Sequence, residues 1–326
     1  MNRQVDSVCK AIVSGDRRLV AKTITLLESS RDDHQVEGQA ILEKLVPETG
    51  KAIRVGVTGP PGVGKSTFIE GLGLYLLEEG FRVAVLAVDP SSPISGGSIL
   101  GDKTRMERLA REENAFIRPS PSRGSLGGVA HRTRESLLVC EAAGFDVVIV
   151  ETVGVGQSEI AVRSMSDFFA VLLQPGSGDS LQGIKRGVLE LADSLIVNKA
   201  DGDQMQLAER TRGDFEQALS LLRPKSSNWV PVVLTVSSLS GVGLQKIWET
   251  VTAHRKVQVK SGELASNRRQ QDREWMWSLL EEGLLRELRT DPEIVERLGV
   301  IESEVAERKK TPAAAARALL EEFRKN

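Results

Sequence analysis

The sequence predicts an α/β protein with a mostly parallel, doubly wound sheet, preceded by a helical extension and followed by a helical arm. Six short apolar runs alternate with longer segments of helical periodicity, at residues 53–58, 83–88, 146–150, 168–173, 194–198 and 232–236. Each run is apolar at nearly every position, which is typical of strands that are buried on both faces. A glycine-rich segment directly follows the first run and precedes a helical pattern. Strands and helices that alternate in this way indicate a parallel sheet covered by helices on both faces.

The pattern divides the chain into three regions, predicted as residues 1–50, 51–258 and 259–326. The first region has apolar residues at helical spacing and no strand-like run, the second contains all the predicted strands, and the third is helical only. A helical arm outside the sheet has little core of its own, so we expect it to pack against a second copy of the chain. The alternative is a core under another helix of the same chain. The residues concerned are Trp275, Trp277, Leu280, Leu284 and Leu288.

The composition excludes several classes of protein. The chain has 326 residues, 27% of them charged, and a formal net charge of −2, which gives no reason to expect nucleic acid or an anionic membrane as a partner. Cys9 and Cys140 stand far apart in the sequence, which argues against a disulfide framework or a CxxC metal site. The chain starts without an apolar signal core and has no long apolar run, so a cytoplasmic protein without a membrane segment is expected.

The segment GPPGVGKST, between a predicted strand and a predicted helix, fits the phosphate-binding pattern GxxxxGK[ST]. Glycines let backbone N–H groups approach phosphate oxygens, and the positive end of the following helix faces the same anion. In this pattern the lysine reaches the β- and γ-phosphates and the serine hydroxyl ligates Mg²⁺. The alternative is an ordinary glycine-rich turn. We predict a phosphate site, with Lys65 also in a catalytic role, at Gly59, Pro60, Pro61, Gly62, Val63, Gly64, Lys65, Ser66 and Thr67.

A second motif indicates which base is bound. NKAD, at 198–201, follows a predicted strand and fits the NKxD pattern of guanine-nucleotide proteins. Its aspartate can accept hydrogen bonds from the N1–H and 2-amino groups of guanine, and a site built for such bonds rejects a base that lacks them. The alternative is a solvated strand end. Together with SSL after the next strand, where a backbone N–H would meet the guanine carbonyl, the motif predicts a GTP site formed by Asn198, Lys199, Asp201, Ser237, Ser238 and Leu239.

Three carboxylates are expected to approach Ser66 at the same edge of the sheet. Glu151 stands where guanine-nucleotide proteins usually begin their second switch with an aspartate, and Gly154 is the hinge glycine. Asp89 and Asp102 follow the second predicted strand. Oxygen ligands of this kind suit Mg²⁺, so Ser66, Asp89, Asp102 and Glu151 form the predicted metal site, with Glu151 also a catalytic candidate. The alternative for Asp102 is a helix N-cap.

Four runs carry a family resemblance: AVDPSSP, GGSILGDKTRM, ETVGVGQSE and GDSLQGIKRG. Together they resemble the MeaB/ArgK/MMAA GTPases of the SIMIBI class of P-loop proteins, and the resemblance extends over essentially the whole chain. It implies a G-protein chaperone of adenosylcobalamin-dependent acyl-CoA mutases, chiefly methylmalonyl-CoA mutase. In that family GTP binding and hydrolysis gate cobalamin delivery and protect or reactivate the mutase. The resemblance also implies a homodimer formed through the C-terminal helices, with the mutase and its adenosyltransferase as partners and adenosylcobalamin as the mutase's cofactor.

The rate of hydrolysis is expected to depend on the partner. Ras-type enzymes place a glutamine directly after the hinge glycine to orient the attacking water, whereas here Gln157 stands two residues beyond the valine at that place. A low intrinsic rate, stimulated by the mutase, is therefore expected. The run GDSLQGIKRG is interpreted as an additional switch, which the resemblance supports, and the alternative is an ordinary helix cap. Its polar residues, with Lys185 as a catalytic candidate, are Asp179, Gln182 and Lys185.

Two other functions remain as alternatives, a metallochaperone-type and a transport-linked P-loop NTPase. Metal-delivery relatives carry Cys/His motifs, but the histidines here are scattered along the chain and neither cysteine has a partner nearby in the sequence. Nothing in the sequence resembles a kinase catalytic loop. The arginine-rich segment 103–134 is interpreted as a solvated helix face and loop, or else as a surface that docks a partner.

Overall fold

The structure is a computed structural model, and it describes residues 2–88, 106–119, 126–152, 158–177, 186–221 and 226–324. The chain forms two compact units, Met1–Arg269 and Gln270–Asn326. Within the described ranges, no helix combines the length and the apolar character that crossing a membrane requires.

The first unit is built around one sheet, whose seven described strands all run parallel. The order across the sheet is β3-β2-β4-β1-β5-β6-β7. The predicted fold class, an α/β protein with a mostly parallel and doubly wound sheet, is confirmed. The strands are β1 Ile53–Thr58, β2 Val83–Val88, β3 Ala115–Arg118, β4 Val147–Thr152, β5 Phe168–Leu173, β6 Ser194–Val197 and β7 Val232–Thr235.

Helices cover both faces of this sheet and continue after it. In the first unit the helices before and between the strands are α1 Asn2–Val13, α2 Arg17–Glu28, α3 Asp32–Leu45, α4 Lys65–Glu78, α5 Glu107–Arg111, α6 Leu126–Ala142, α7 Ser158–Arg163, α8 Arg186–Leu191 and α9 Met205–Ser220. The helices after the last strand are α10 Leu244–Ser261, α11 Glu263–Thr290, α12 Pro292–Ala306 and α13 Pro312–Phe323.

Burial on both faces explains the uninterrupted apolar runs of the strands. In β4, Val148 and Val150 belong to the core on one face, whereas Val147 and Ile149 belong to the core on the other. The three N-terminal helices join the first of these cores and pack against one another and against α6. The predicted helical extension is therefore helical, but it is part of the same compact unit as the sheet.

The division between the two units falls later than the arm boundary predicted at residue 259. That position lies inside α10, and the first unit extends to Arg269. Ion pairs and hydrogen bonds explain the difference, because Arg255 donates to the carbonyl oxygen of Ala52 at 3.0 Å and Arg268 donates to the same oxygen at 2.7 Å. Arg268 also forms two hydrogen bonds with Asp167, at 2.8 and 2.6 Å. The end of α10 and the first turns of α11 are thus held to the sheet.

The second unit has a small core of its own. Ile294, Ile301 and Ala315 are buried. Both later helices begin with a proline after a capping residue, and Asp291 accepts hydrogen bonds from the backbone N–H groups of Glu293 and Ile294. Such N-caps satisfy amides that the helix itself leaves unbonded.

Candidate nucleotide site

The phosphate loop connects β1 to α4 at the carboxyl edge of the sheet. The helix begins at Lys65, and Gly64 before it adopts a left-handed conformation with φ of 92°. A Cβ at Gly64 would lie 2.8 Å from Nδ2 of Asn198, so both the backbone conformation and the neighbouring side chain require glycine here. Because α4 begins directly after the loop, its N-terminal backbone N–H groups lie beside the space that the loop encloses. A helix N-terminus in this position is typical of phosphate sites.

The side chain of Lys65 folds back over this loop. Its ammonium donates to the carbonyl oxygen of Gly59 at 2.7 Å and to that of Pro60 at 3.3 Å. An ammonium group has three N–H donors and is a compact positive charge. Held above the loop, the charge lies where the β- and γ-phosphates of a nucleotide are expected.

The motif NKAD is tied directly to the phosphate loop. Asn198 is buried, and its Nδ2 donates to the carbonyl oxygen of Val63 at 2.9 Å. Its Oδ1 accepts from the hydroxyl of Ser238 at 2.6 Å and from the Ser238 backbone N–H at 3.2 Å. Lys199 has a left-handed backbone with φ of 61°, and its ammonium donates to the carbonyl oxygen of Gly62 at 2.7 Å. One tetrapeptide thus joins the loops after β1, β6 and β7.

Asp201 is oriented by the loop after β7. The hydroxyl of Ser237 donates to Oδ2 of Asp201 and accepts from the backbone N–H of Ser240 at 3.2 Å. The backbone N–H of Ser237 donates to Val242 at 3.0 Å. Because the amides of Ser237 and Ser238 are engaged within the site, Leu239 is the residue of the SSL segment best placed to offer an amide to a base. Leu239 is 83% exposed.

The end of β4 lies directly beside the end of β1. Glu151 is buried and stands in register with Val57, two residues before the phosphate loop begins. The next residue, Thr152, forms a hydrogen bond of 2.8 Å with Thr58 through their two hydroxyl groups, both of which are buried. A carboxylate at Glu151 and a hydroxyl at Ser66, on the adjoining helix, provide the oxygen donors that Mg²⁺ prefers. The assignment of Ser66 and Glu151 as magnesium ligands stays a prediction.

Several predicted site residues lie outside the described ranges. In the part of the chain that the structure describes, no group of three or more His, Cys, Asp or Glu side chains is close enough to hold a metal ion. The predicted metal ligands and switch residues that fall in the other segments are Asp89, Asp102, Gly154, Gln157, Asp179, Gln182 and Lys185.

Two arginines of the arginine-rich segment have structural partners. Arg118 forms an ion pair with Glu28 of α2, in which its Nε donates at 3.1 Å. Arg134 is buried, and its guanidinium donates to the backbone and the hydroxyl of Ser164 after α7. Both side chains join elements within the first unit. For these two residues the interpretation as a docking surface is unnecessary.

Sequence reasoning missed two features of this edge, the hydroxyl pair of Thr58 with Thr152 and the tight turn 174–177 after β5. The turn contains a Pro-Gly dipeptide, which is a recognised turn signal in a sequence. Threonines at two strand ends carry no such signal, because their partnership depends on the register between β1 and β4.

Comparison with known proteins agrees with this geometry. The family model for "Methylmalonyl Co-A mutase-associated GTPase MeaB" matches residues 20–293. A putative GTPase of Caulobacter vibrioides is 53% identical over 319 residues, which cover 98% of each chain. The mitochondrial methylmalonic aciduria type A homolog of Mus musculus is 45% identical, over 99% of this chain and 80% of that protein.

A solved structure described as LAO/AO transport system kinase has the same fold. It superposes with a TM-score of 0.80 at 38% sequence identity, and the match covers 99% of both chains. The resemblance noted in the sequence is therefore confirmed, and relatives named as GTPases support GTP hydrolysis as the activity. The chain belongs to the MeaB family of methylmalonyl Co-A mutase-associated GTPases.

Proposed function

We propose that this GTPase is the G-protein chaperone of an adenosylcobalamin-dependent acyl-CoA mutase, chiefly methylmalonyl-CoA mutase. GTP binding and hydrolysis would gate the delivery of the cofactor and protect or reactivate the mutase, in the cytoplasm. The observation that carries the proposal is the family match over residues 20–293, a range that includes the seven described strands. The family description names association with that mutase.

The nucleotide is proposed to lie along the carboxyl edge of the sheet. Residues 59–67 hold the phosphates through their backbone N–H groups, and Lys65 neutralises charge on the β- and γ-phosphates. Asp201 accepts hydrogen bonds from guanine, and the amide of Leu239 donates to the guanine carbonyl. The hydrogen bonds of Asn198 with Val63 and Ser238 support this arrangement, because they fix the base-recognition loops relative to the phosphate loop.

A magnesium ion is proposed to accompany the nucleotide. The hydroxyl of Ser66 and the carboxylate of Glu151 would hold it, with Asp89 and Asp102 as the further ligands. The ion supplies neutralisation of the phosphate charge during hydrolysis. The burial of Glu151 beside β1 supports the assignment, since a carboxylate in that place is positioned by the sheet itself.

The response to the mutase is assigned to two segments. Gly154 and Gln157 form part of the second switch, and Asp179, Gln182 and Lys185 belong to an additional switch. In this proposal basal hydrolysis is slow, and the bound mutase brings Lys185 toward the nucleotide. Adenosylcobalamin remains the cofactor of the mutase, and the mutase's adenosyltransferase is a further partner.

The arm is proposed to form a homodimer. Helix α11 has no buried residue along its length, and large apolar side chains on it are half exposed. Apolar surface of this extent on a helix is typical of a subunit interface. The exposed side chains are Met276, Trp277, Leu279, Leu280, Leu284 and Leu285.

The dimer is tested in the full-length chain. Leu280→Glu combined with Leu284→Glu should give a monomer in analytical ultracentrifugation, because two charges in an apolar interface cannot be desolvated without a partner. Val36→Glu is the control, since Val36 is an apolar residue on α3 that is more exposed than Leu280 or Leu284. A dimer that survives both arm substitutions places the interface elsewhere.

The mutase role is tested by hydrolysis measurements with and without purified acyl-CoA mutases. Adding the cognate mutase should raise GTP turnover, and GTP should control the transfer of adenosylcobalamin to it. Lys185→Ala should keep nucleotide affinity and basal turnover but lose the stimulation. If no acyl-CoA mutase changes turnover, the chaperone role is wrong although the GTPase remains. If the Lys185 variant is stimulated as well as the wild type, the additional switch is wrong.

A second candidate is a transport-linked NTPase, which is favoured by the description of the solved structure with a TM-score of 0.80. It predicts phosphate transfer from the nucleotide to a transport component. Radiolabelled γ-phosphate distinguishes the two functions, because a GTPase releases it as inorganic phosphate whereas a kinase leaves it on a protein or another acceptor.

A further inference from the structure

The chain makes a tight turn at residues 174–177, directly after β5. The backbone N–H of Ser177 donates to the carbonyl oxygen of Gln174 at 3.2 Å, and the Ser177 hydroxyl donates to the same oxygen at 2.6 Å. Proline occupies the second place of the turn, and Gly176 in the third place has φ of 80°. Proline followed by a residue with positive φ, closed by this hydrogen bond, is a type II β-turn.

One side of this turn is held by α9. The backbone N–H of Gly176 donates to Oγ1 of Thr211 at 2.9 Å. Thr211 is 1% exposed, and its own hydroxyl hydrogen is donated to the carbonyl oxygen of Leu207 at 2.8 Å. Its oxygen is therefore oriented as an acceptor for the turn. A Cβ on Gly176 would lie 3.3 Å from Cδ2 of Leu207, so the turn packs closely on the helix.

The bond to Thr211 selects one form of the turn. The N–H of Gly176 belongs to the central peptide of the turn, and this peptide is reversed between turns of type I and type II. Glycine tolerates either form. An acceptor fixed on α9 therefore stabilises type II, in which the N–H faces it.

The other side of the turn faces the phosphate loop. A Cβ on Gly62 would lie 3.7 Å from Nε2 of Gln174. The carbonyl oxygen of Gly62 is also the one that accepts from the ammonium of Lys199. The turn thus lies between the phosphate loop and α9, the helix that begins four residues after Asp201.

We infer that Thr211 is a positioning residue of the nucleotide site, which holds the 174–177 turn against the phosphate loop. The inference rests on the guanine-nucleotide site proposed above. Thr211 supports Gly62 through the turn, and Lys199 supports the same residue from the base-recognition motif. With both supports in place, the loop is ordered before a nucleotide arrives, and less ordering is required on binding. The affinities for GDP and GTP should be raised equally, since both nucleotides place a β-phosphate in the loop.

The test measures nucleotide affinity in the full-length chain at a temperature well below unfolding. Thr211→Val keeps the shape of the side chain and removes the acceptor. It should raise the Kd for GDP and GTP about threefold to fivefold, close to the effect of one neutral hydrogen bond. The KM for GTP should rise by the same factor with an unchanged kcat. Selectivity for guanine over xanthine should not change, because Asp201 is held by Ser237 and not by the turn.

Two variants separate positioning from a general loss of structure. Thr211→Ser retains the acceptor and should restore the wild-type Kd. Thr250→Val is the matched control, because the hydroxyl of this buried threonine also donates to a carbonyl four residues earlier, that of Lys246 in α10. It should leave the Kd unchanged even where it lowers the melting temperature.

The outcomes are decisive in each direction. A Kd for Thr211→Val equal to that of Thr250→Val overturns the inference, as does a failure of Thr211→Ser to restore binding. If Thr211→Val does not fold, Gly176→Ala tests the same turn, because alanine is strained at a φ of 80° and its Cβ would meet Leu207. Its Kd should also rise, and an unchanged Kd overturns the inference. Absence of guanine-nucleotide binding by the wild type would instead show that the proposed site is wrong.

Discussion

The two edges of the sheet use their polar side chains in different ways. At the carboxyl edge, Asn198, Lys199 and Ser237 make hydrogen bonds that join one loop to another. At the amino edge, carboxylates and guanidinium groups bind the strands and helices themselves. The contrast is sharpest around β6, where Asp193 stands immediately before the strand and Asp201 follows it by four residues.

The same hydrogen bond from a backbone N–H to an aspartate occurs three times at the amino edge. An aspartate directly precedes each of β4, β5 and β6, and its Oδ2 accepts a backbone N–H at the start of a neighbouring strand. The donor is the second residue of β1 or β5, or the residue directly before β2. The hydrogen bonds measure 2.8 Å from Arg82 to Asp146, 3.0 Å from Arg54 to Asp167 and 2.8 Å from Phe169 to Asp193. Each carboxylate satisfies an amide that would otherwise end the ladder unbonded.

Buried ion pairs complete this edge. Arg54 forms two hydrogen bonds with Glu141 of α6, at 2.9 and 2.8 Å, and Arg268 binds Asp167 in the same two-point manner. All these charges are neutralised inside the fold. In parallel α/β sheets, ligands bind outside the carboxyl ends of the strands. The comparison indicates that polar residues before the strands stabilise the fold, whereas those after the strands hold a frame for a ligand.

The largest expected effect is on stability and comes from the amino edge. Arg54→Met leaves Glu141 without its main counter-charge, and the Glu141 side chain is 0% exposed. Removing one partner of a buried ion pair costs about 3 to 5 kcal/mol, so urea unfolding should show a loss of this size. Adding Glu141→Gln to Arg54→Met should recover part of it, because the buried charge is gone. If Arg54→Met alone is as stable as the wild type, the conclusion that the polar residues of the amino edge stabilise the fold is contradicted.

The next effect concerns base selection and compares the two aspartates that flank β6. Asp201→Asn replaces an acceptor by a donor and should weaken GTP binding about a hundredfold, since hydrogen bonds to a charged group are the strong ones. Xanthosine triphosphate should become the better ligand, because its carbonyl at C2 can accept from the new amide. Fluorescence titration with GTP and with xanthosine triphosphate measures this change of preferred nucleotide.

Asp193→Asn is the matched control for this prediction. Asp193 lies 3.7 Å from both Arg163 and His254 at the amino edge, so its substitution should lower the unfolding free energy without changing the choice of base. A change of base preference in the Asp193 variant would break the distinction between the two edges. Equal affinity of the wild type for ATP and GTP would show that Asp201 does not select guanine.

The two edges also differ in how far the sequence predicts them. The carboxyl edge is encoded in short contiguous motifs, so the start of α4 at Lys65 and the place of Asn198 after β6 follow from the pattern alone. The partners at the amino edge are remote in the chain, as Arg268 is from Asp167, and no local pattern links them. Strand β3 was also missed, because only three of its residues are apolar and only one of these, Ile117, is β-branched.

A pH-dependent loss of stability should arise at the amino edge. Burial alone would raise the pKa of the Asp167 carboxyl, but hydrogen bonds and charge from Arg268, together with Arg54, hold it below its usual value of 3.8. A lowered pKa in the folded state stabilises the fold above the unfolded pKa, and the contribution is lost as pH falls through the folded pKa. The difference in unfolding free energy between the wild type and Asp167→Asn should therefore be constant from pH 7 to 5 and shrink below about pH 4.

Urea unfolding at a series of pH values measures this difference. Asp33→Asn serves as the control, because Asp33 pairs with Arg31 on the exposed surface and exposed pairs contribute little to stability. If the difference in unfolding free energy between the wild type and Asp167→Asn stays constant down to pH 3, the charge of Asp167 is not what stabilises this edge.

The smallest expected effect tests whether one hydrogen bond at the carboxyl edge serves the site or only the fold. Thr152→Val leaves the buried hydroxyl of Thr58 beside a methyl group and should cost about 1 to 2 kcal/mol of stability. Replacing both threonines by valine removes the unsatisfied hydroxyl, so stability should return close to that of the wild type. GTP turnover should remain about threefold slower in both variants, which is a change of less than about 1 kcal/mol in the barrier. The reason is that Glu151 directly precedes Thr152, so without the Thr58–Thr152 bond the end of β4 that carries Glu151 is no longer fixed to β1. Stability from urea unfolding and turnover from phosphate release, measured on the same preparations, separate the two effects. If the double variant recovers turnover together with stability, the Thr58–Thr152 bond acts like the contacts of the amino edge and the distinction between the edges does not extend to it.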